Sequence, residues 1–145
     1  MNWDLNWIWS LPLIVVTMTI HVLGLGYIAK KIVLDATVPS GRREFMLAFC
    51  KVVGTTTLFA TLLLTVHAIT WALLYLALGA LPDAPSAMLY SLSALTSYGH
   101  AELFLEKRWQ LMGALEAVNG VLLFGLTTAL LFAAIQAVFW PTNRQ

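Results

Sequence analysis

The residue types best suited to contact an ion are Thr96, Ser97 and Gly99. They lie in the stretch 95–103, which reads L-T-S-Y-G-H-A-E-L and joins a short apolar segment to a long hydrophobic one. Hydroxyl groups can present oxygen atoms to a cation, and so can the backbone carbonyls around a glycine, which has no side chain to block them. Polar backbone at membrane depth is tolerated only where it is buried in protein or lines a watery path. This layout therefore indicates a re-entrant loop at an ion pathway.

Composition places the chain in a membrane. The 145 residues are 60% hydrophobic and 10% charged, with a mean hydropathy of +0.83, whereas soluble domains carry roughly 25% charged residues. We expect an integral membrane protein with no room for a soluble ligand-binding domain. The net charge of +1 argues against a nucleic-acid partner. Cys50 is the only cysteine, so it has no disulfide partner in the chain, and we expect a small buried apolar residue.

Three apolar stretches, at 7–33, 45–81 and 110–140, are long enough to cross a bilayer. The segment between the last two, 82–108, is too short for another crossing and too apolar for a simple surface loop. Asp83 and Ser86 are candidate helix N-caps, and Pro85 suits a helix start. A short helix over 87–95 would end near the middle of the membrane, with its negative dipole end favouring a cation.

Basic residues predict the orientation of these spans. They cluster between the first and second spans, which places that connection in the cytoplasm: Lys30, Lys31, Arg42, Arg43 and Lys51. The amino terminus and the loop after the short helix then face outward. The carboxyl terminus, with Arg144, returns to the cytoplasm.

The chain resembles the small bacterial two-transmembrane pore-domain potassium channels, with one extra amino-terminal helix. The resemblance covers most of the chain and is carried by H-A-I-T-W-A-L-L-Y from His67, by M-L-Y-S-L-S-A-L-T-S-Y-G-H-A-E, and by W-Q-L-M-G-A-L-E-A-V-N-G from Trp109. The family's selectivity filter reads T-T-x-G-Y-G-D. On that pattern the filter positions are, in order, Thr96, Ser97, Tyr98, Gly99, His100, Ala101 and Glu102.

The resemblance implies an all-α membrane protein with three transmembrane helices, a re-entrant pore helix and a filter loop. Because each subunit supplies one filter segment, the pore would be a homotetramer in the lipid bilayer of the bacterial inner membrane. Residues 1–44 would form a peripheral helix and a basic cytoplasmic loop, and 45–145 the pore domain. The implied function is passive cation conduction without a cofactor. The permeant ion would be monovalent, with potassium implied, held by oxygens of Thr96, Ser97, Tyr98 and Gly99.

Departures from the family pattern predict an altered, less selective filter. Ala101 replaces the second glycine, and alanine in left-handed backbone costs on the order of 1 kcal/mol or more per subunit. His100 either packs behind the filter or turns inward, where a ring of imidazoles would make conduction depend on pH between about 5 and 8. Glu102 is either a solvated residue at the mouth or part of a carboxylate ring that concentrates cations.

Three further residues in the third span stand out. A carboxylate as deep in the membrane as Glu116 would be usually has a structural or functional role. It would support the filter by pairing with loop backbone or with His100, or it would tune permeation directly. Gly120 and Gly125 are either close-packing sites between helices or gating hinges, for which the resemblance is the main support.

Two other functions remain open. The loop could be a degenerate pore that conducts nothing and serves as a membrane scaffold, since a fold does not fix a function. His21 and His67 lie at comparable depths in the first two spans, so they either ligate a haem or pack as hydrogen-bonded residues. We do not expect an enzyme, because the sequence contains no H-E-x-x-H, no G-x-S-x-G and no plausible intramembrane acid pair.

Overall fold

The computed structural model describes residues 3–35, 41–99 and 103–139, with side chains described over 3–31, 41–99 and 103–136. The regular secondary structure of these residues is α-helical, with α1 (Trp3–Asp35), α2 (Arg42–Ala77), α3 (Ala84–Leu95) and α4 (Gln110–Phe139). Three helical segments are long and apolar enough to cross a membrane: Trp3–Lys31, Arg42–Ala77 and Gln110–Gln136. The predicted all-α fold with three candidate membrane-spanning helices is confirmed for the described residues.

The second span ends earlier than its hydropathy predicted. Helix α2 stops at Ala77, and Gly79 follows with φ of 63°. The amides of Gly79 and Ala80 donate to the carbonyls of Leu76 and Tyr75, at 3.1 and 2.8 Å. This is a Schellman cap, which needs left-handed backbone at one residue, and glycine adopts it without a steric cost.

Helix α3 starts at a side-chain cap. Asp83 is its N-cap, and its carboxylate accepts the Ser86 amide at 2.9 Å and the Ser86 hydroxyl at 3.0 Å. Asp83 is thus confirmed as a cap, while Ser86 is its hydrogen-bond partner inside the helix rather than a second cap. With 12 residues, α3 is about 18 Å long and cannot cross a hydrocarbon core of about 30 Å.

The four helices pack around buried aromatic residues. The largest core lies where α2, α3 and α4 meet, with Leu13 and Ile14 of α1 against it, and includes Trp71, Tyr75, Ala87, Trp109 and Met112. A smaller cluster joins α1, α2 and α4 toward the other end of the bundle, around Ile28 and Ala134. Cys50 is exposed, so the expectation that it is buried was wrong; α2 turns this residue away from both cores.

Candidate functional site

The loop after α3 begins with a helix cap. The Ser97 amide donates to the Ala94 carbonyl at 3.0 Å, and the Tyr98 amide donates to the Ser93 carbonyl at 2.9 Å. Ser97 has φ of 55°. These contacts form a Schellman motif, in which the residue after the C-cap adopts left-handed backbone. The filter pattern predicted left-handed backbone only at its two glycine positions. Left-handed backbone at Ser97 was not predicted, because serine has no preference for that conformation.

Residues 96–99 project from the end of α3 into open space. All four are exposed, and Tyr98 has 86% of its surface accessible. Gly99 has φ of 78°. The cap uses carbonyls of α3 itself, so the carbonyls of Thr96 to Gly99 remain outside it. The other predicted filter residues, His100, Ala101 and Glu102, lie outside the described residues.

An open groove of about 570 Å³ runs beside this loop. It is lined by Ser97 and Gly99 from the loop, by α3, by the first turns of α4 and by the segment before α4. Phe104, at one side of it, is 69% exposed. Within the described part of the chain, the side of the loop that faces the groove is therefore open.

Glu116 of α4 is fully buried. The Tyr75 hydroxyl donates to its Oε2 atom at 2.5 Å, and the Ser91 hydroxyl donates to its Oε1 atom. Each carboxylate oxygen thus has a neutral hydroxyl donor, and the three side chains join α2, α3 and α4. Sequence reasoning proposed loop backbone or His100 as the partner; the partners that the described residues supply are these two hydroxyls. Nothing in the sequence singles out Tyr75 and Ser91 among the other polar residues of α2 and α3.

The glycines of α4 differ in their surroundings. A Cβ atom on Gly120 would lie 2.7 Å from the carbonyl carbon and 2.8 Å from the Cα of Leu95, the last residue of α3. A Cβ on Gly113 would lie 3.0 Å from Cζ of Tyr90. Gly125 has nothing within 4 Å of such an atom. Gly120 and Gly113 therefore allow α3 to approach α4 closely, whereas Gly125 has no packing role in the described chain.

His21 and His67 contact each other directly. Their Nδ1 and Nε2 atoms, respectively, are 3.2 Å apart, and Nε2 of His21 lies 3.0 Å from the Thr127 hydroxyl. Two imidazoles on opposite faces of one metal ion have their nitrogens roughly 4 Å apart, at about 2 Å per bond. The observed pair leaves no space for a macrocycle, so this arrangement does not fit a haem. Among the described residues there is also no group of three or more His, Cys, Asp or Glu suited to a metal ion.

Comparison with models of known protein families, with curated proteins and with solved structures found no significant match. The resemblance to potassium channels therefore depends on the motifs in the sequence. No relative supplies a function for the site.

Proposed function

We propose that the chain is a subunit of a homotetrameric, passive cation channel in the bacterial inner membrane. The observation that carries this proposal is the exposed loop 96–99 at the carboxyl end of α3, a helix too short to span, placed between two helices that can span. In the proposal, α3 is a re-entrant pore helix and its loop is the inner part of a filter. Potassium is the permeant ion that the sequence resemblance implies.

The electrostatics of α3 favour a cation at the loop. Residues 84–99 contain no charged side chain, so an ion there would meet hydroxyl and carbonyl oxygens. The carboxyl end of a helix carries roughly half a negative charge. Carbonyl rings without side-chain charges are the arrangement by which some channels replace the hydration shell of a permeant ion. The carbonyls of residues 96–99 would be the ligands.

Exposed surfaces support an assembly of several copies. One chain supplies one loop, and a closed pore needs symmetric copies around it. The groove beside the loop, together with the exposed Tyr98 and Phe104, offers surface that neighbouring copies would cover. Helix α4 also presents an exposed face at helical spacing, including Val118, Val121 and Phe132, which would line the axis or contact a neighbour.

The outer filter is proposed to be less selective than the family pattern. Ala101 stands where the family has its second glycine, and left-handed backbone there would be strained in four copies. A ring of His100 side chains facing the axis would make the current vary between pH 5 and 8. Glu102 would then concentrate cations at the mouth.

A second candidate is a non-conducting scaffold with a pore-like loop. The Schellman cap favours it, because that cap accounts for the left-handed backbone at Ser97 without any ion. In this alternative the loop terminates α3 and contributes only to assembly. Measuring conduction separates the two candidates.

The test is the reversal potential of purified full-length protein in a planar bilayer, with potassium on one side and sodium on the other. We expect cation currents with weak discrimination between the two ions, and sharper discrimination for Ala101→Gly. Ala114→Gly is the control, because Ala114 is an exposed residue of α4 and the same chemical change there leaves the loop intact. Silence from pH 5 to 8, in protein whose helical content is intact by circular dichroism, would favour the scaffold.

A further inference from the structure

Helix α1 carries polar residues on a single buried face. Asn6, Ser10, Thr17 and His21 are all fully or almost fully buried. Their spacings of four, seven and four residues place them on one side of a helix. Around them, α1 exposes large apolar side chains such as Val15 and Leu23. A polar stripe of this kind inside a membrane bundle is directed at a protein partner rather than at lipid.

The first contact of this stripe is at the start of α4. The Asn6 amide nitrogen donates to the Arg108 carbonyl at 2.8 Å, and its oxygen accepts the Met112 amide at 3.2 Å. The first amides of a helix have no partner within that helix. Asn6 of α1 therefore caps the first turn of α4 from a neighbouring helix of the same chain.

The second contact lies two helical turns further along α4. The Asn119 amide nitrogen donates to the Thr17 hydroxyl at 2.9 Å. That hydroxyl in turn donates within α1, to the carbonyl of Leu13 or Ile14, at 2.9 or 3.0 Å. Asn119 is fully buried and so faces α1 rather than an open surface.

The third contact includes α2. The Thr127 hydroxyl donates to the Leu123 carbonyl at 2.9 Å and lies 3.0 Å from Nε2 of His21. Nδ1 of His21 lies 3.2 Å from Nε2 of His67. Hydrogen-bonding contacts thus connect α2, α1 and α4.

These contacts hold α4 along most of its length. From Asn6 to His21 the α1 axis rises by about 22 Å, and the partners in α4 run from its first turn to Thr127. Beyond Thr127 the described contacts of α1 with α4 are apolar, around Ile28 and Ala134. Movement of α4 relative to α1 before Thr127 would break hydrogen bonds. Movement beyond it would not.

We propose that α1 is a positioning helix for the pore-lining helix, with Thr17 and His21 as its positioning residues. This rests on the proposed channel function, taken with the exposed face of α4 lining the axis rather than contacting a neighbour. Helices α1 and α4 move as one unit as far as Thr127, and conformational change of the pore is confined to the segment after it. The His21–Thr127 contact sets the boundary.

The experiment compares variants that remove a hydroxyl with matched neighbours. Thr127→Val and Thr17→Val break contacts between helices. Thr61→Val and Thr19→Val are controls, because in the described structure those exposed hydroxyls donate to carbonyls of their own helices, Thr57 and Val15. Thr127→Ser and Thr17→Ser keep the hydroxyl and should restore wild-type behaviour.

Two readouts are needed. One is the open probability of single channels, expected to change about threefold in the two valine variants, since a hydrogen bond between membrane helices shifts an equilibrium by about threefold. Single-channel conductance and reversal potential should stay unchanged. The other is backbone amide exchange of α4 in nanodiscs, expected to rise about threefold in the same variants and not in the controls.

The outcomes separate the two proposals. Silent channels with the expected pattern of amide exchange would refute the channel function while supporting α1 as the helix that holds α4. Valine variants that match their controls in both readouts would overturn the role of α1. Serine variants whose amide exchange in α4 stays above the wild-type rate would also overturn the role of α1.

Discussion

Gly120 of α4 lies directly against the backbone of Leu95 at the end of α3. A Cβ atom on Gly120 would come within 2.7 Å of the Leu95 carbonyl carbon, and backbone cannot swing aside as a flexible side chain can. Gly125, five residues later, has open space around the same position. Gly120 therefore permits close packing of α3 on α4, whereas Gly125 packs against no described neighbour.

Alanine substitution distinguishes these glycines. Gly120→Ala should lower the free energy of unfolding by roughly 1–3 kcal/mol, as overpacking of a filled site does. Gly125→Ala should raise it by roughly 0.5–1 kcal/mol, because alanine loses less backbone freedom in a helix. Denaturant titration of the full chain in detergent micelles measures both. A Gly120→Ala variant as stable as wild type would mean that α3 does not need its close approach to α4.

Removing the Tyr75 hydroxyl should destabilise the bundle through Glu116. Tyr75→Phe leaves Oε2 of a fully buried carboxyl group without its donor, and an unsatisfied buried acceptor costs roughly 1–3 kcal/mol. Tyr27→Phe is the matched control, since Tyr27 is 64% exposed on α1 and should change stability by less than about 0.5 kcal/mol. The same denaturant titration compares them.

A double-mutant cycle tests whether that loss passes through Glu116. Once Glu116→Gln has altered the acceptor, Tyr75→Phe should cost less than it does in the wild type, with a coupling of about 0.5–3 kcal/mol. Strict additivity of the two changes would show that the Tyr75 hydroxyl contributes through other contacts.

The cap of α3 makes a separate prediction. Asp83→Ala should cost about 1 kcal/mol, because the Ser86 amide loses its acceptor, whereas Asp83→Asn should cost only a few tenths. Glu106→Gln provides a control at a nearby acid. Glu106 forms an ion pair with Arg108 at 2.8 Å, but both side chains are more than half exposed, and such pairs contribute little. A larger loss for Glu106→Gln than for Asp83→Ala would contradict the role of the cap.

Hydropathy and cap residues predicted most of the fold. The three spans follow from apolar runs, and the start of α3 follows from Asp83 and Pro85, because these signals are local. The partners of Glu116 were not predicted, since Tyr75 and Ser91 come from two other helices and only tertiary packing brings them together. The polar face formed by Asn6, Ser10, Thr17 and His21 was not predicted, and its spacing alone does not say which helix it contacts.

The orientation of the chain can be tested with its single cysteine. Basic residues predict that the connection between α1 and α2 lies in the cytoplasm, and Cys50 lies exposed in α2, next to Lys51. A membrane-impermeant maleimide should therefore label the wild type only after cells are permeabilised. Gly41→Cys in a Cys50→Ser background should behave identically, because Gly41 is exposed just before α2. Labelling of that variant in intact cells would reverse the proposed topology, and with it the side of the membrane that the loop after α3 faces.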